Sequence, residues 1–587
     1  MIQYPHLKEQ RSTRQVIDVF KGYNHNLRIG SGEFYEMENL TSDDYPVLST
    51  RGKRSFVERL RYSCKGMFYV PERGLFYLED IGGNSVLYLL SPDAVRTEVT
   101  RLNPNPKKFV LIGKQLVIAP EMRWVDVESL ATGDLEEKWE VRSGTVTVQM
   151  CDADGRKHQN ITVSPEPPSN PVYHQLWLCN AVGSVGLNQY EPSTSEWISM
   201  ATYIEIAGLG EHNFQTGDAV EVSGLIGSAA PLDGSFVIQY AGHGNIVVSG
   251  VIYENHTQEC SQNTVTIERT VPKLDFVVEA GNRLWGCLKD TNEIYACKLG
   301  DIRNWHCFQG LSTDSWVGSI GTPGEFTGAI VQNGYPIFYK ENCKHKIWPS
   351  ATGAHQISTT PCDGVEKGSE NSLAVLDGTV FYKSALGVFA DAGGGAVEIG
   401  HCLGDVSYRN AAGAIYDRKY WLTLSGGVGE NQLFVYDIDR KMWHRENAAA
   451  ADFYMSLSYL SAGGKSLYAA FYNEFWDLTG NTGTPEEAVS WMAVTGDLGL
   501  ELPEQKYISR LTLRLMLEPG ATMEVYAQYD REQTWVKLGQ VYGTDLRSFS
   551  LPVRPRRCDQ LRLKLQGTGM CKIYSITKTL AKGSELS

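Results

Sequence analysis

"DFVVEAGNRLWGCLKDTNEIYACKLGD", residues 275–301, consists of three short apolar or aromatic runs set apart by turn residues. Runs of this length are too short for helices and suit adjacent antiparallel strands. The Gly, Asn and Asp between them are the residues that tight hairpin turns demand, because they supply or tolerate positive φ. The stretch therefore reads as strand, turn, aromatic strand, turn, strand. Its continuation, "IRNW", ends on Trp305, a ring expected to pack between neighbouring sheets, where a large apolar surface is worth most.

The same grammar recurs along the chain. "GLFYLEDIGGNSVLYLL" (residues 74–90) and "KFVLIGKQLVIAP" (108–120) are two early hairpins. "GAIVQNGYPIFYKENCKHKIWPS" (328–350) and "SLAVLDGTVFYKSALGVFADAGGGAVEIG" (372–400) are later units of the same form, as are residues 413–446 and 456–480. Unit starts recur at roughly 40–50 residues, the period of propeller blades. The expectation is an all-β chain whose main body is a β-propeller of six or seven blades. Composition agrees: 58 Gly and 30 Tyr among 587 residues favour many short strands joined by tight turns.

Three segments break the pattern. Residues 140–270 interrupt it with "SPEPPSNP" (164–171), a connector, and then five short alternating runs over 201–251, enough for a small β-barrel. Beyond the linker "NTGTPEEAV" (481–489), residues 488–587 alternate strictly, as strands of a β-sandwich do. Residues 1–54 are turn-rich and weakly periodic, and read as an extended N-terminal arm. The division expected is an arm (1–54), first blades (55–139), an inserted small β domain (140–270), remaining blades (271–480) and a C-terminal sandwich (488–587).

Chemistry is sparse. A net charge of −14 argues against a general electrostatic grip on nucleic acid, which requires Lys and Arg to displace counterions from phosphates. The 12 Cys are scattered with no C-x-x-C pair, and even Cys287, Cys297 and Cys307, ten apart, read as buried free thiols of a reducing compartment. The first 20 residues lack the apolar stretch of a secretion signal, and no apolar run reaches the roughly 18 residues of a membrane span. "DADG" (152–155) begins like a calcium loop but lacks its closing Glu, so a β-turn is expected. His212, His243 and His256 read as loop histidines. There is no nucleophile elbow, P-loop or dinucleotide fingerprint. The expectation is a non-enzyme with no catalytic, metal-binding or cofactor-binding residues.

Two basic runs stand out as possible assembly contacts: "RGKR", with Arg51, Lys53 and Arg54, and "RPRR", with Arg554, Arg556 and Arg557. Trp305, Trp348, Trp421 and Trp443 are the stacking platforms that a glycan-binding alternative would use.

In order along the chain, "FKGYNHNLRIGSGEFYEMENLTSDDYPVLSTRGKR", "VVEAGNRLWGC", "NEIYACKLGDIRNW", "PIFYKENCKHKIWPS" and the 372–400 unit resemble the β-propeller tail proteins of tailed bacteriophages. These are the packaged-DNA stabilisation and tail nozzle proteins of short-tailed phages. The likeness spans residues 19–54 and 275–480, about two fifths of the chain; the 140–270 insertion has no counterpart in it. The resemblance implies a non-catalytic virion component of tail or neck, assembled in the host cytoplasm. Its partners would be copies of itself in a ring, commonly of six, and portal, adaptor or other tail proteins. DNA would pass transiently through an acidic channel. The competing reading is a host-glycan-binding or glycan-cleaving tail protein, and a third is a cellular propeller scaffold.

Overall fold

In the computed structural model, strands Phe276–Glu279, Leu284–Cys287, Glu293–Ala296 and Trp316–Ser319 form one four-stranded antiparallel meander. The structure describes residues 12–404, 408–425, 431–447, 459–471, 473–500, 506–551, 553 and 556–582. Six more sheets of this kind span residues 64–102, 108–134, 326–361, 374–398, 409–447 and 459–477. They are numbered here as blades 1 to 7 in chain order, the 276–319 meander being blade 3. Their first strands touch in cyclic order, blade 7 returning to blade 1, so seven blades close around one axis.

Blade 7 has only three strands of its own. Its fourth strand is Ser55–Arg59, from the other end of the propeller, which pairs with Glu474–Asp477 and, on its outer edge, with the short strand Thr484–Pro485. Phe56 meets the Trp476 ring edge-on at 5.3 Å there. Where first strands crowd the axis, side chains are trimmed: a Cβ on Gly66 would lie 2.7 Å from Phe109, and one on Gly413 2.7 Å from the Tyr420 ring. Each blade is otherwise glued to the next by apolar side chains. Trp305 is buried in a cluster joining Val110, Val117 and Met122 of blade 2 to Val277 and Leu284 of blade 3, as its sequence setting led one to expect.

The insertion leaves after blade 2 and returns before blade 3. Eight of its strands make a single sheet whose edge strand Glu137–Val141 runs through three residues into Thr145–Cys151, near the opposite edge. The sheet is therefore curled into a small barrel, around Val146, Val148, Ile204, Ile206, Val248 and Ile267. A separate four-stranded sheet, residues 162–200, lies against it.

The C-terminal module is organised by one long strand, Lys506–Tyr529, broken in register near Pro519–Gly520. Its first half pairs with Cys571–Lys582 and its second with Leu561–Thr568, while Val536–Leu551 follows it along both halves. Two layers result, enclosing Leu511, Leu513, Met523, Leu563 and Ile573 as a sandwich does.

Residues 12–54, read above as an extended arm, run as strands within the chain's own sheets. Ser12–Ile17 pairs with Cys571–Lys582; Glu33–Glu38 pairs with Ser490–Thr495; and Tyr23 pairs with Trp443 of blade 6. Blade 6, this segment and the sandwich thereby share one continuous 14-stranded sheet. The turn-rich composition misleads because these strands are short and borrow their partners from distant sequence. Among the described residues the only helical segments are the two short 3-10 turns Gly227–Leu232 and His401–Leu403.

Candidate functional site

The seven first strands converge on a central cavity of about 470 Å³. Its walls are largely apolar, with Phe68, Phe109, Val277 and Ile330, and its polar lining includes Lys107, Lys108, Glu279, Glu370 and Asn371. The Lys108 ammonium donates to Asn371 Oδ1 and stands 3.9 Å from the Glu370 carboxylate. Burial lowers the Lys108 pKa from its ordinary value, against the pull of Glu370. The cavity can hold a small polar molecule, and it is far too narrow to pass a nucleic-acid duplex.

The nucleophiles elsewhere are muted. Burial pushes the Cys64, Cys151 and Cys297 thiols up to about 12, so almost no thiolate exists near neutrality. All 12 Cys are free, and most are buried. Among the described residues no group of three His, Cys, Asp or Glu is placed to hold a metal ion. His243 faces Glu211, His256 meets Ser228 and His212 packs on Phe214, so the three loop histidines keep separate company. Asp152 Oδ1 accepts the backbone N–H groups of Asp154 (3.0 Å) and Arg156 (2.8 Å), which makes "DADG" a turn. Among the described residues no helix is long and apolar enough to cross a membrane.

The basic run "RGKR" is largely spent inside the molecule. Arg54 is fully buried and bonds Glu446 at 2.7 Å; Arg51 bonds Glu486 at 2.8 and 3.1 Å and Asn39 at 2.9 Å. Burial, with Arg51 alongside, lowers the Arg54 guanidinium to about 10 in spite of Glu446. Arg51 and Arg54 therefore tie the N-terminal segment to blade 6 and do not reach a partner surface. Lys53 is exposed and donates to the Glu487 carbonyl at 2.8 Å. In the second run Arg556 pairs with Glu532 on the surface, Arg557 is exposed, and Arg554 lies outside the described residues.

The tryptophans divide in the same way. Trp305 and Trp443 are buried, each donating its indole N–H to a backbone carbonyl, of Ile302 (2.8 Å) and Ile399 (2.7 Å). Neither offers a face to a sugar, which corrects that expectation: both rings are core. Trp421 is half-buried against the apolar cluster between blades 6 and 7. Trp348 is 42% exposed, but the Lys346 ammonium sits 4.1 Å over its ring and Tyr335 lies 4.7 Å away.

One site was missed by sequence reasoning. Asn304, in the turn of blade 3, accepts from the Ala219 N–H (2.8 Å) and donates to the Gly217 carbonyl (3.2 Å) of the insertion. Beside it, Asp218 is fully buried between Arg269 and Arg303. These groups fix the barrel on the propeller. Charge on Asp218, Arg269 and Arg303 was visible in the sequence; their convergence across the insertion was not.

No family model matches the chain, and no curated protein matches it. Among solved structures it is similar to the phage phi92 endosialidase, at 7% identity and a TM-score of 0.26 over 79% of this chain and 68% of that one. It is similar also to YCF48 bound to D1 peptide, at 9% identity and a TM-score of 0.25 over 72% and 93%. The exo-beta-1,3-galactanase of Phanerochaete chrysosporium gives 10% identity and a TM-score of 0.20 over 51% and 94%. Similarity at this level carries no argument about activity.

Proposed function

We propose that this chain is a structural virion protein of a bacteriophage tail or neck, copies of which close into a ring that extends the DNA exit channel and helps retain packaged DNA. The observation that carries the reading is mechanical. Propeller, N-terminal segment and sandwich are welded by one 14-stranded sheet, and the weld is reinforced by the buried pair Arg54–Glu446. A wall that bears internal load gains from such a joint, because hinges between modules are removed.

The propeller axis holds only a cavity of about 470 Å³, so in this reading DNA passes between copies and not through a single subunit. A net charge of −14 suits a lumen that lets a polyanion slide without adhering. Head-to-tail contacts close into a ring when their rotation does. The order-preserving resemblance to phage propeller proteins supplies the biological setting, with portal and adaptor as neighbours.

The test is negative-stain electron microscopy of the purified protein, alone and mixed with its portal or adaptor partner. Rings with an open axial channel are expected in at least one of the two. Dispersed monomers in both overturn the reading.

A further inference from the structure

The small sheet on the insertion is formed by Thr162–Ser164, Leu176–Cys179, Gly186–Glu191 and Glu196–Met200. Successive side chains of a strand point to opposite faces. Leu178 and Leu187 are fully buried in the barrel core, and Leu176, Val163 and Met200 pack on it. The alternate residues therefore face away from the barrel. Register sets Trp177 opposite Asn188, Tyr190 opposite Trp197 and Asn188 opposite Ser199 on that outer face.

Three aromatic rings thus meet on the solvent side. The Trp197 centroid is 5.4 Å from those of both Trp177 and Tyr190. All three rings are half-buried, and none belongs to any of the eight apolar cores among the described residues. They pack on one another, and Trp177 is oriented by its indole N–H, which donates to the Ser164 carbonyl at 3.0 Å. Aromatic area placed where the fold does not use it marks a binding surface.

The chemistry around the rings selects the ligand. Asn188 and Ser199 stand beside them, so the face combines aromatic area with neutral hydrogen-bonding groups and carries no Lys or Arg. Glu191 and Glu196, directly opposite each other at the end of this hairpin, share the alternation of Leu187 and Met200 and so leave the aromatic face itself without a charged group. With no Lys or Arg on the face, nothing there pairs with the charge of phosphates, uronic acids or sialic acids. We infer that this face binds a neutral glycan, pyranose C–H groups packing on Trp177, Tyr190 and Trp197 while sugar hydroxyls bond to Asn188 and Ser199. C–H groups carry the partial positive charge that the negative face of a ring attracts.

The experiment uses the full chain on an array of neutral and acidic oligosaccharides, followed by calorimetry on any neutral glycan retained. Trp197→Ala is expected to weaken binding about tenfold or more, while Trp348→Ala leaves it unchanged. Both variants are expected to keep the wild-type melting temperature; should Trp197→Ala not fold, Tyr190→Ser removes a ring from the same face. Binding of acidic glycans alone, no neutral glycan bound, or equal loss in Trp348→Ala overturns the inference. Ring formation is read separately by microscopy, so either proposal can fail without the other.

Discussion

Arg54 and Glu446 lie 392 positions apart in the chain, yet their guanidinium and carboxylate meet at 2.7 Å with both side chains buried. The pair joins the start of the propeller to blade 6, and Arg51 stands 3.6 Å from the same carboxylate. Removing Arg54 leaves the buried Glu446 carboxylate with only the longer, 3.6 Å contact to Arg51. Arg54→Ala is expected to cost about 3–5 kcal/mol in urea unfolding, whereas Arg54→Met with Glu446→Leu is expected to recover much of that loss. A single variant as stable as wild type would show that the pair is idle.

Two buried histidines make the fold sensitive to acid. Burial first, and then Lys340, lowers His345 to about 4; burial first, and then Lys419, lowers His444 to about 3. In the unfolded chain both titrate near 6.5, so below that pH the unfolded state binds protons that the folded state refuses. Stability is full above pH 6.5 and falls by about 1.4 kcal/mol per unit per histidine on acidification. The loss from His345 levels off near pH 4 and that from His444 near pH 3. Urea midpoints measured at pH 7.5, 6 and 5 should fall in turn, and His444→Phe should shrink the slope; an unchanged slope contradicts the assignment.

Gly413 occupies the blade 6 strand nearest the axis, where a methyl group would meet Tyr420 at 2.7 Å and the Ser372 carbonyl at 2.9 Å. That carbonyl also accepts the Tyr420 hydroxyl at 2.7 Å. Gly413→Ala is expected to destabilise by about 1–3 kcal/mol through overpacking. Gly394→Ala, where nothing lies within 4 Å, should stay within about 0.5 kcal/mol. Thermal unfolding of the two variants decides it.

Trp305→Ala empties the joint between blades 2 and 3 and should cost about 3–5 kcal/mol. Trp348→Ala, on the surface of blade 4, should cost less than about 1 kcal/mol. Similar losses in both would mean that Trp305 is not the wedge its burial indicates.

The repeat itself was legible in residues 275–301, because a blade needs only local hairpins and each hairpin announces itself through its turn. Trp305 was legible for the same reason: a lone large ring beside strand grammar has few places to go. The count of seven was not, since blade 7 takes its fourth strand, Ser55–Arg59, from sequence far away. Arg51 and Arg54 misled because a basic run looks alike whether it faces water or a buried carboxylate, and Glu446 and Glu486 carry no local mark. The rings of Trp177, Tyr190 and Trp197 escaped notice because strand alternation alone does not tell which face of a small sheet finds a core to cover it.

Because Ser55–Arg59 waits for Glu474–Asp477, and Ser12–Ile17 waits for Cys571–Lys582, these strands are synthesised long before the partners they pair with. The barrel, whose strands all lie between Glu137 and Arg269, can mature while the nascent propeller is still open. Two unpaired strand edges therefore remain exposed until those distant strands emerge, and until then neighbouring nascent chains compete for them. Yield at high expression should depend on how fast the C-terminal strands arrive.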